Sequence, residues 1–132
     1  MKNNFLCPKC SGYLNVGEYV IFNIRNKKHT KGLLLLSPVL GNYTYEMHPS
    51  YEVSTGESVD FYCPICHASL SVEGSENLAA IILQEESGEK HHIVFSRKEG
   101  EKCTYKISNK TIEKFGAHAN NYIDFISASM MK

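Results

Sequence analysis

Two short stretches of this chain share one pattern, and that pattern restricts the possible folds more than any other feature. Cys7-Pro8-Lys9-Cys10 is followed by Leu14, and Cys63-Pro64-Ile65-Cys66 is followed by Leu70, so both read C-P-x-C-x-x-x-L. Four thiols in two matched pairs are what a tetrahedral metal ion requires. The two intervening residues let both sulfurs of one turn reach one ion, and Pro8 and Pro64 preset φ for that turn. Backbone N–H groups beyond each proline can point at the sulfurs and spread their negative charge. A single C-x-x-C carries little weight. Two copies with the same internal residues predict one shared site, with Cys7, Cys10, Cys63 and Cys66 as its ligands. Zinc is the expected ion, because a closed thiolate tetrahedron is its structural site. Iron accepts the same ligands and is the alternative.

The chain has 132 residues, long enough to bury a core, so a metal need not supply all of the stability. A single domain is expected over residues 1–132, with the metal-bearing part at about 1–77 and a β-meander plus helix at about 78–127. Fourteen Lys and Arg balance fourteen Asp and Glu, which argues against a strongly cationic nucleic-acid module. Arg25, Lys27, Lys28 and Lys31 still form a local basic cluster. The longest apolar cluster, Leu33 to Leu36, is far too short to span a bilayer. The first residues lack the apolar core of a signal peptide. These features point to a reducing cytoplasm, where paired C-x-x-C motifs favour metal over disulfides.

The hydrophobic pattern is mainly that of strands. Tyr13 to Asn26 reads as one strand, with Val20, Phe22 and Ile24 on one side and Tyr19 and Ile21 on the other. A polar, basic hairpin loop follows, then a return strand through Leu33–Leu36 and Val39-Leu40, interrupted or pushed to an edge by Pro38. Tyr43 to Glu46 alternates like a strand and ends at His48-Pro49. Tyr51–Val53 and Ser58–Tyr62 flank Ser54-Thr55-Gly56-Glu57 and predict a hairpin that delivers the chain to Cys63. Leu78–Gln84, His91–Ser96, Lys102–Ser108 and Thr111–Phe115 predict an antiparallel meander, the last pair joined by a tight turn at Asn109-Lys110. Ala119, Tyr122, Ile123 and Ile126 fall on one helical face and predict a short helix from about Ala117 to Ser127, followed by a frayed tail. The expected fold class is therefore mainly β, a β-rich α+β arrangement with hairpins inserted between the two knuckles. C-P-x-C-x-x-x-L is the one internal repeat visible in the residues.

The two cysteine turns resemble the paired knuckles of zinc-ribbon and rubredoxin-like proteins. The resemblance implies a metal site at Cys7, Cys10, Cys63 and Cys66, with two hairpin-like turns facing each other over the ion. It covers the knuckles and their adjoining strands, about a third of the chain. The stretch between the knuckles is longer than in a compact ribbon. The glycine often found after the second knuckle cysteine is Ser11 in one copy and His67 in the other.

Other candidates read more simply as structure. His67 follows Cys66 and suits a position beside the sulfurs or at the surface better than a ligand's place. His91 and His92, neighbours on a strand, face opposite ways and so do not chelate one ion together. Cys103 alternates with Tyr105 and Ile107 and suits a buried strand face. A thioredoxin-like redox role would need a helix after the first cysteine, and neither knuckle leads into one. Tyr43, Tyr45 and Tyr51 could stack bases beside the basic loop, although aromatic residues on strands more often pack in cores. No catalytic motif is present, and Glu85-Glu86 reads as a solvated turn. The expectation is a small zinc-binding, protein-interaction or adaptor module. Alternatives are a rubredoxin-like iron electron carrier and a nucleic-acid-binding zinc-ribbon module. Oligomeric state is left open.

Overall fold

Alternation along the long strands decides what each sheet buries. A computed structural model describes residues 3–109 and 111–130. In β3 (Tyr19–Arg25), Val20, Phe22 and Ile24 are buried while Tyr19, Ile21 and Asn23 are half-exposed. In β7 (Leu78–Gln84), Ile81 and Leu83 are buried on one face and Leu78 on the other. β3 is thus covered on one side and β7 on both.

The remaining strands are β1 (Asn4–Leu6), β2 (Asn15–Val16), β4 (Lys31–Leu36), β5 (Tyr45–Met47), β6 (Asp60–Tyr62), β8 (Lys90–Ser96), β9 (Thr104–Ser108) and β10 (Thr111–Phe115). They form two antiparallel sheets. One has the order β1-β7-β8-β9-β10. In the other, β2, β3, β4 and β5 are neighbours in sequence order and β6 also pairs with β3. The facing surfaces of the sheets share a core in which Phe22, Phe61 and Phe95 meet with ring centroids 5.2 to 5.7 Å apart. The far side of the β7 sheet carries a second core of Leu78, Val94, Cys103 and Tyr105, closed by Ile126 of α1 (Ile123–Met130).

Several sequence expectations are corrected by this arrangement. The first long strand is broken at Gly17, whose φ of 60° makes the tight turn from β2 into β3. The return strand ends at Leu36, before Pro38, so Val39-Leu40 lies in a loop. The turn at Ser54–Glu57 is present, with the Glu57 N–H donating to the Ser54 carbonyl, but Tyr51–Val53 is not a strand. Instead β6 pairs with β3 through Asn23↔Tyr62, Ile24↔Phe61 and Arg25↔Asp60. The helix begins at Ile123 rather than Ala117, because the Tyr105 hydroxyl donates to the Ala119 carbonyl and accepts the Tyr122 N–H. That cross-link holds residues 119–122 in turns. Lys110 of the predicted tight turn, and the last two residues of the predicted tail, lie outside the described residues.

The repeat extends well beyond the knuckles. The β3–β4 hairpin closes with the Asn26 N–H on the Thr30 carbonyl and the His29 N–H on the Asn26 carbonyl. The β7–β8 hairpin closes in the same way, Glu85 to Glu89 and Gly88 to Glu85. The loop after β4 is spanned by Ser37 N–H to Thr44 carbonyl, and the loop after β8 by Ser96 N–H to Cys103 carbonyl. Gly41 and Gly100 occupy matching places in these loops with φ of 90° and 85°. Val20↔Leu36 and Leu36↔Tyr45 in one half correspond to Ala79↔Phe95 and Phe95↔Thr104 in the other. The chain is therefore built from two halves of one topology, and the halves exchange their first strands. β1 joins β7 through Phe5↔Leu83, and β6 joins β3 through Phe61↔Ile24. β10 and α1 are additions to the second half alone.

Candidate metal centre

Each half carries one cysteine turn at the end of its exchanged strand, and the two turns are closed by the same backbone–backbone hydrogen bonds. In the first, the Cys7 N–H donates to the Gly12 carbonyl, Ser11 to Cys7, and Leu14 to Phe5. In the second, Cys63 donates to Ala68, His67 to Cys63, and Leu70 to Phe61. The full repeat is thus F-x-C-P-x-C-x-x-x-L, with Phe5 and Phe61 anchoring the two turns in the common core. The phenylalanines were readable in the sequence but acquire a role only once the exchanged strands are seen.

The two turns bring all four thiols together. Cys7 Sγ lies 3.8 Å from Cys66 Sγ and Cys10 Sγ lies 3.9 Å from Cys63 Sγ. All four sulfurs are within 4.8 Å of one another, and all are free thiols. A disulfide needs sulfurs about 2 Å apart. Four thiolates about 2.3 Å from one ion would instead stand about 3.8 Å from each other, and the two pairs that cross between the knuckles stand at 3.8 and 3.9 Å. Cys7 and Cys63 are fully buried, whereas Cys10 and Cys66 are exposed. The four-sulfur group is thus compatible with a zinc-ribbon-like site and can hold a metal ion.

Backbone groups are already aimed at the sulfurs. The N–H of Lys9 donates to Cys7 Sγ at 3.3 Å, and that of Ile65 to Cys63 Sγ at the same distance. Cys66 N–H also reaches Cys63 Sγ, at 3.4 Å, and Gly12 N–H reaches Cys10 Sγ at 3.4 Å. Burial pushes the Cys7 thiol up to about 12, against the pull of the Cys10 and Lys9 N–H groups. At Cys63 burial also acts upward, but the N–H groups of Cys66 and Ile65 and the thiols of Cys7 and Cys66 outweigh it, leaving the thiol below its usual value. Negative charge is therefore held more easily at Cys63 than at Cys7, and one thiolate in the group resists formation of another. A divalent cation among the sulfurs reverses that balance.

The turns close at some cost. Ser11 and His67 occupy matching left-handed positions, with φ of 62° and 67°. A side chain there is strained by about 1 kcal/mol or more relative to glycine. His67→Gly is expected to raise stability by about 0.5–1 kcal/mol, read as a rise in the denaturant midpoint with unchanged slope. An unchanged or lower midpoint would show that the imidazole holds the turn by contacts that outweigh the strain. The His67 side chain is exposed, and His67 is not in the four-sulfur group.

The other candidates do not converge on the sulfurs. His91 is buried with Nδ1 against Ser108 Oγ, while His92 is exposed. Glu85, Glu89 and His91 do approach one another, but Lys106 Nζ stands 3.2 Å from Glu85 Oε2 and already supplies a cation there. Cys103 is buried in the core beneath α1. Tyr43 is tied to Thr104 and to the Phe115 carbonyl, Tyr51 to the Thr30 carbonyl, and Tyr45 stands half-exposed on β5, so the three form no common platform. Arg25 is held by Asp60 and Tyr62, and Lys28 faces Glu52. A cleft of about 300 Å³, missed in the sequence, opens between the sheets beside the matching loops 37–44 and 96–103, with the three clustered phenylalanines among its walls. Among the described residues no helix is long and apolar enough to cross a membrane. Comparison with known proteins finds no matching family model, no matching curated protein and no matching solved structure.

Proposed function

We propose that this chain is a protein-interaction module whose two interlocked halves are pinned by one structural zinc ion on Cys7, Cys10, Cys63 and Cys66. The observation that carries the reading is the sulfur spacing of 3.8 and 3.9 Å between knuckles that come from different halves. It equals the edge of a thiolate tetrahedron around zinc, about 3.8 Å. The knuckle hydrogen bonds support a zinc-ribbon-like site, since they offset the charge left over when four thiolates surround a divalent ion. With all four positions filled by protein there is no open one for substrate, so the ion's role is to hold the fold. Adaptor function and a cytoplasmic setting fit a fold that spends its cysteines on metal and leaves broad sheet surface free.

Elemental analysis of protein purified without added metal tests the reading. One zinc per chain in a colourless protein is expected. Iron with a coloured, redox-active centre would favour the electron-carrier alternative, for which the exposed Cys10 and Cys66 offer a route to a redox partner. Neither metal at any stoichiometry would overturn both.

Zinc affinity should also depend steeply on pH. The raised Cys7 thiol holds its proton in the metal-free fold, so binding must release it. Affinity therefore rises with pH and falls on acidification. Competition titrations between pH 6 and 8 should show a change of at least about tenfold per pH unit, one proton's worth or more. A flat profile would mean that the thiols are not the ligands.

A further inference from the structure

The duplication supplies an internal template for a binding surface, and the inference deepens the interaction-module reading on which it rests. In the second half, the outer face of the β7 sheet is covered. The segment from Tyr122 to Ile126 lies over Leu78, Val94 and Tyr105, with Val72 and Ala80 at the margin. α1 is amphipathic there, with Ile126 buried and Asp124, Ser127 and Ala128 exposed. The same positions in the first half are Tyr19 for Leu78, Leu35 for Val94, Glu46 for Tyr105, Val16 for Val72 and Ile21 for Ala80. They follow from the matching strand registers. None of these five is buried, and Val16 is 66% exposed. Among the described residues no helix lies over this face in the first half, where Tyr19, Ile21 and Leu35 are half-buried and Val16 and Glu46 are exposed.

One substitution between the halves points to the occupant. Tyr105 receives the Tyr122 N–H at the entrance of α1, through its hydroxyl. Glu46 stands at the matching position, paired with Leu35 on the outer face and exposed. A carboxylate accepts N–H groups and favours the positive end of a helix dipole more strongly than a neutral hydroxyl does. We propose that the outer face formed by Val16, Tyr19, Ile21 and Leu35 docks an amphipathic helix of a partner protein, its apolar stripe on these residues and its N-terminus at Glu46. The geometry is that of α1 on the opposite face. The acidic end of the site selects a helix that starts with free N–H groups or basic side chains, and disfavours one that starts with Asp or Glu.

The test is selection from a displayed library of amphipathic helices of about 18 residues, long enough for five turns, against the metal-loaded full chain. Selected helices should perturb the backbone amides of β2, β3 and β4 in heteronuclear NMR. They should weaken about tenfold or more on Val16→Asp, which removes apolar contact at an exposed site. They should weaken about two- to fivefold on Glu46→Lys, which reverses the charge at the helix start. Both positions are exposed, so the fold should survive, and an unchanged spectrum of each free variant verifies it. Helices that instead perturb the knuckle tips or the inter-sheet cleft would overturn this site while leaving the interaction-module reading standing. Self-association through the same face, abolished by Val16→Asp, would replace the partner helix with a second copy and overturn the proposal. Selection of no helix at all would overturn it too. A sample that carries neither zinc nor iron fails the reading beneath it, and metal content is measured on the same material.

Discussion

Cys63→Ser is expected to lose the metal and lower the melting temperature by at least about 12 °C. Cys63 is fully buried, and its Sγ receives two backbone N–H groups and lies 3.9 Å from Cys10 of the other knuckle. With an ion among the sulfurs, one missing thiolate breaks the only covalent-strength link between β1 and β6. A structural thiolate site contributes many kcal/mol to the fold that binds it, and a loss of only about 3 kcal/mol corresponds to about 12 °C in a chain of this size. Thermal melts followed by circular dichroism, with and without chelator, measure it. Chelator should carry the wild type down to the variant and leave the variant unmoved. Cys103→Ala is the control. It trims one buried thiol from the second core, outside the four-sulfur group, and should cost about 1 kcal/mol with metal content unchanged. If the two variants melt together, the four-thiol cluster does not hold the fold.

Phe61→Ala is expected to cost about 3–5 kcal/mol even with metal bound. Phe61 belongs to the exchanged strand β6, yet its ring lies 5.2 Å from both Phe22 and Phe95, which come from the two different sheets. Removing it opens a void between the sheets and deletes two edge-to-face contacts. It also frees β6, whose pairing with β3 is only three residues long. Denaturant titration should show a large drop in midpoint, with zinc affinity reduced as well because Cys63 hangs from the same strand. A loss below about 1 kcal/mol would mean that the inter-sheet cleft beside Phe61 collapses to fill the space, and that the aromatic cluster is not the centre of the core.

Residue type and spacing revealed the thiols, because metal ligation leaves a local signature. They also revealed β7 and β10, whose observed limits of Leu78–Gln84 and Thr111–Phe115 are those read from the sequence. Partner choice was not legible. Ser58–Tyr62 reads as a strand from its own residues, but nothing local says that it pairs with β3 rather than with Tyr51–Val53. Pairing is settled by where Phe61 finds the other aromatic rings. The helix start was hidden for a similar reason. The stripe from Ala119 to Ile126 is continuous in sequence, and distant groups, the Tyr105 hydroxyl and the Lys102 backbone, hold residues 118–122 in turns instead. The larger repeat was invisible because a β-hairpin asks for alternation and a turn, not for particular residues. Past the knuckles the matching hairpins and loops agree at few places, Gly41 with Gly100 and Ser37 with Ser96 among them, while Phe22 stands opposite Ile81 and Leu36 opposite Phe95.

The exchange of first strands also sets an order of events during synthesis. β1 is synthesised well before its partner β7, with β2 to β6 between them in the chain. Until that strand has been translated β1 has an open edge, and until Cys66 has been made the set of four thiols is incomplete. Neither half can finish alone, and pairings this far apart in sequence form slowly. The nascent chain must therefore keep Phe5 and Cys7 waiting until β6, the second knuckle and β7 have been made, and a ribosome paused within residues 48–59 holds β1 and β3 without their exchanged partners.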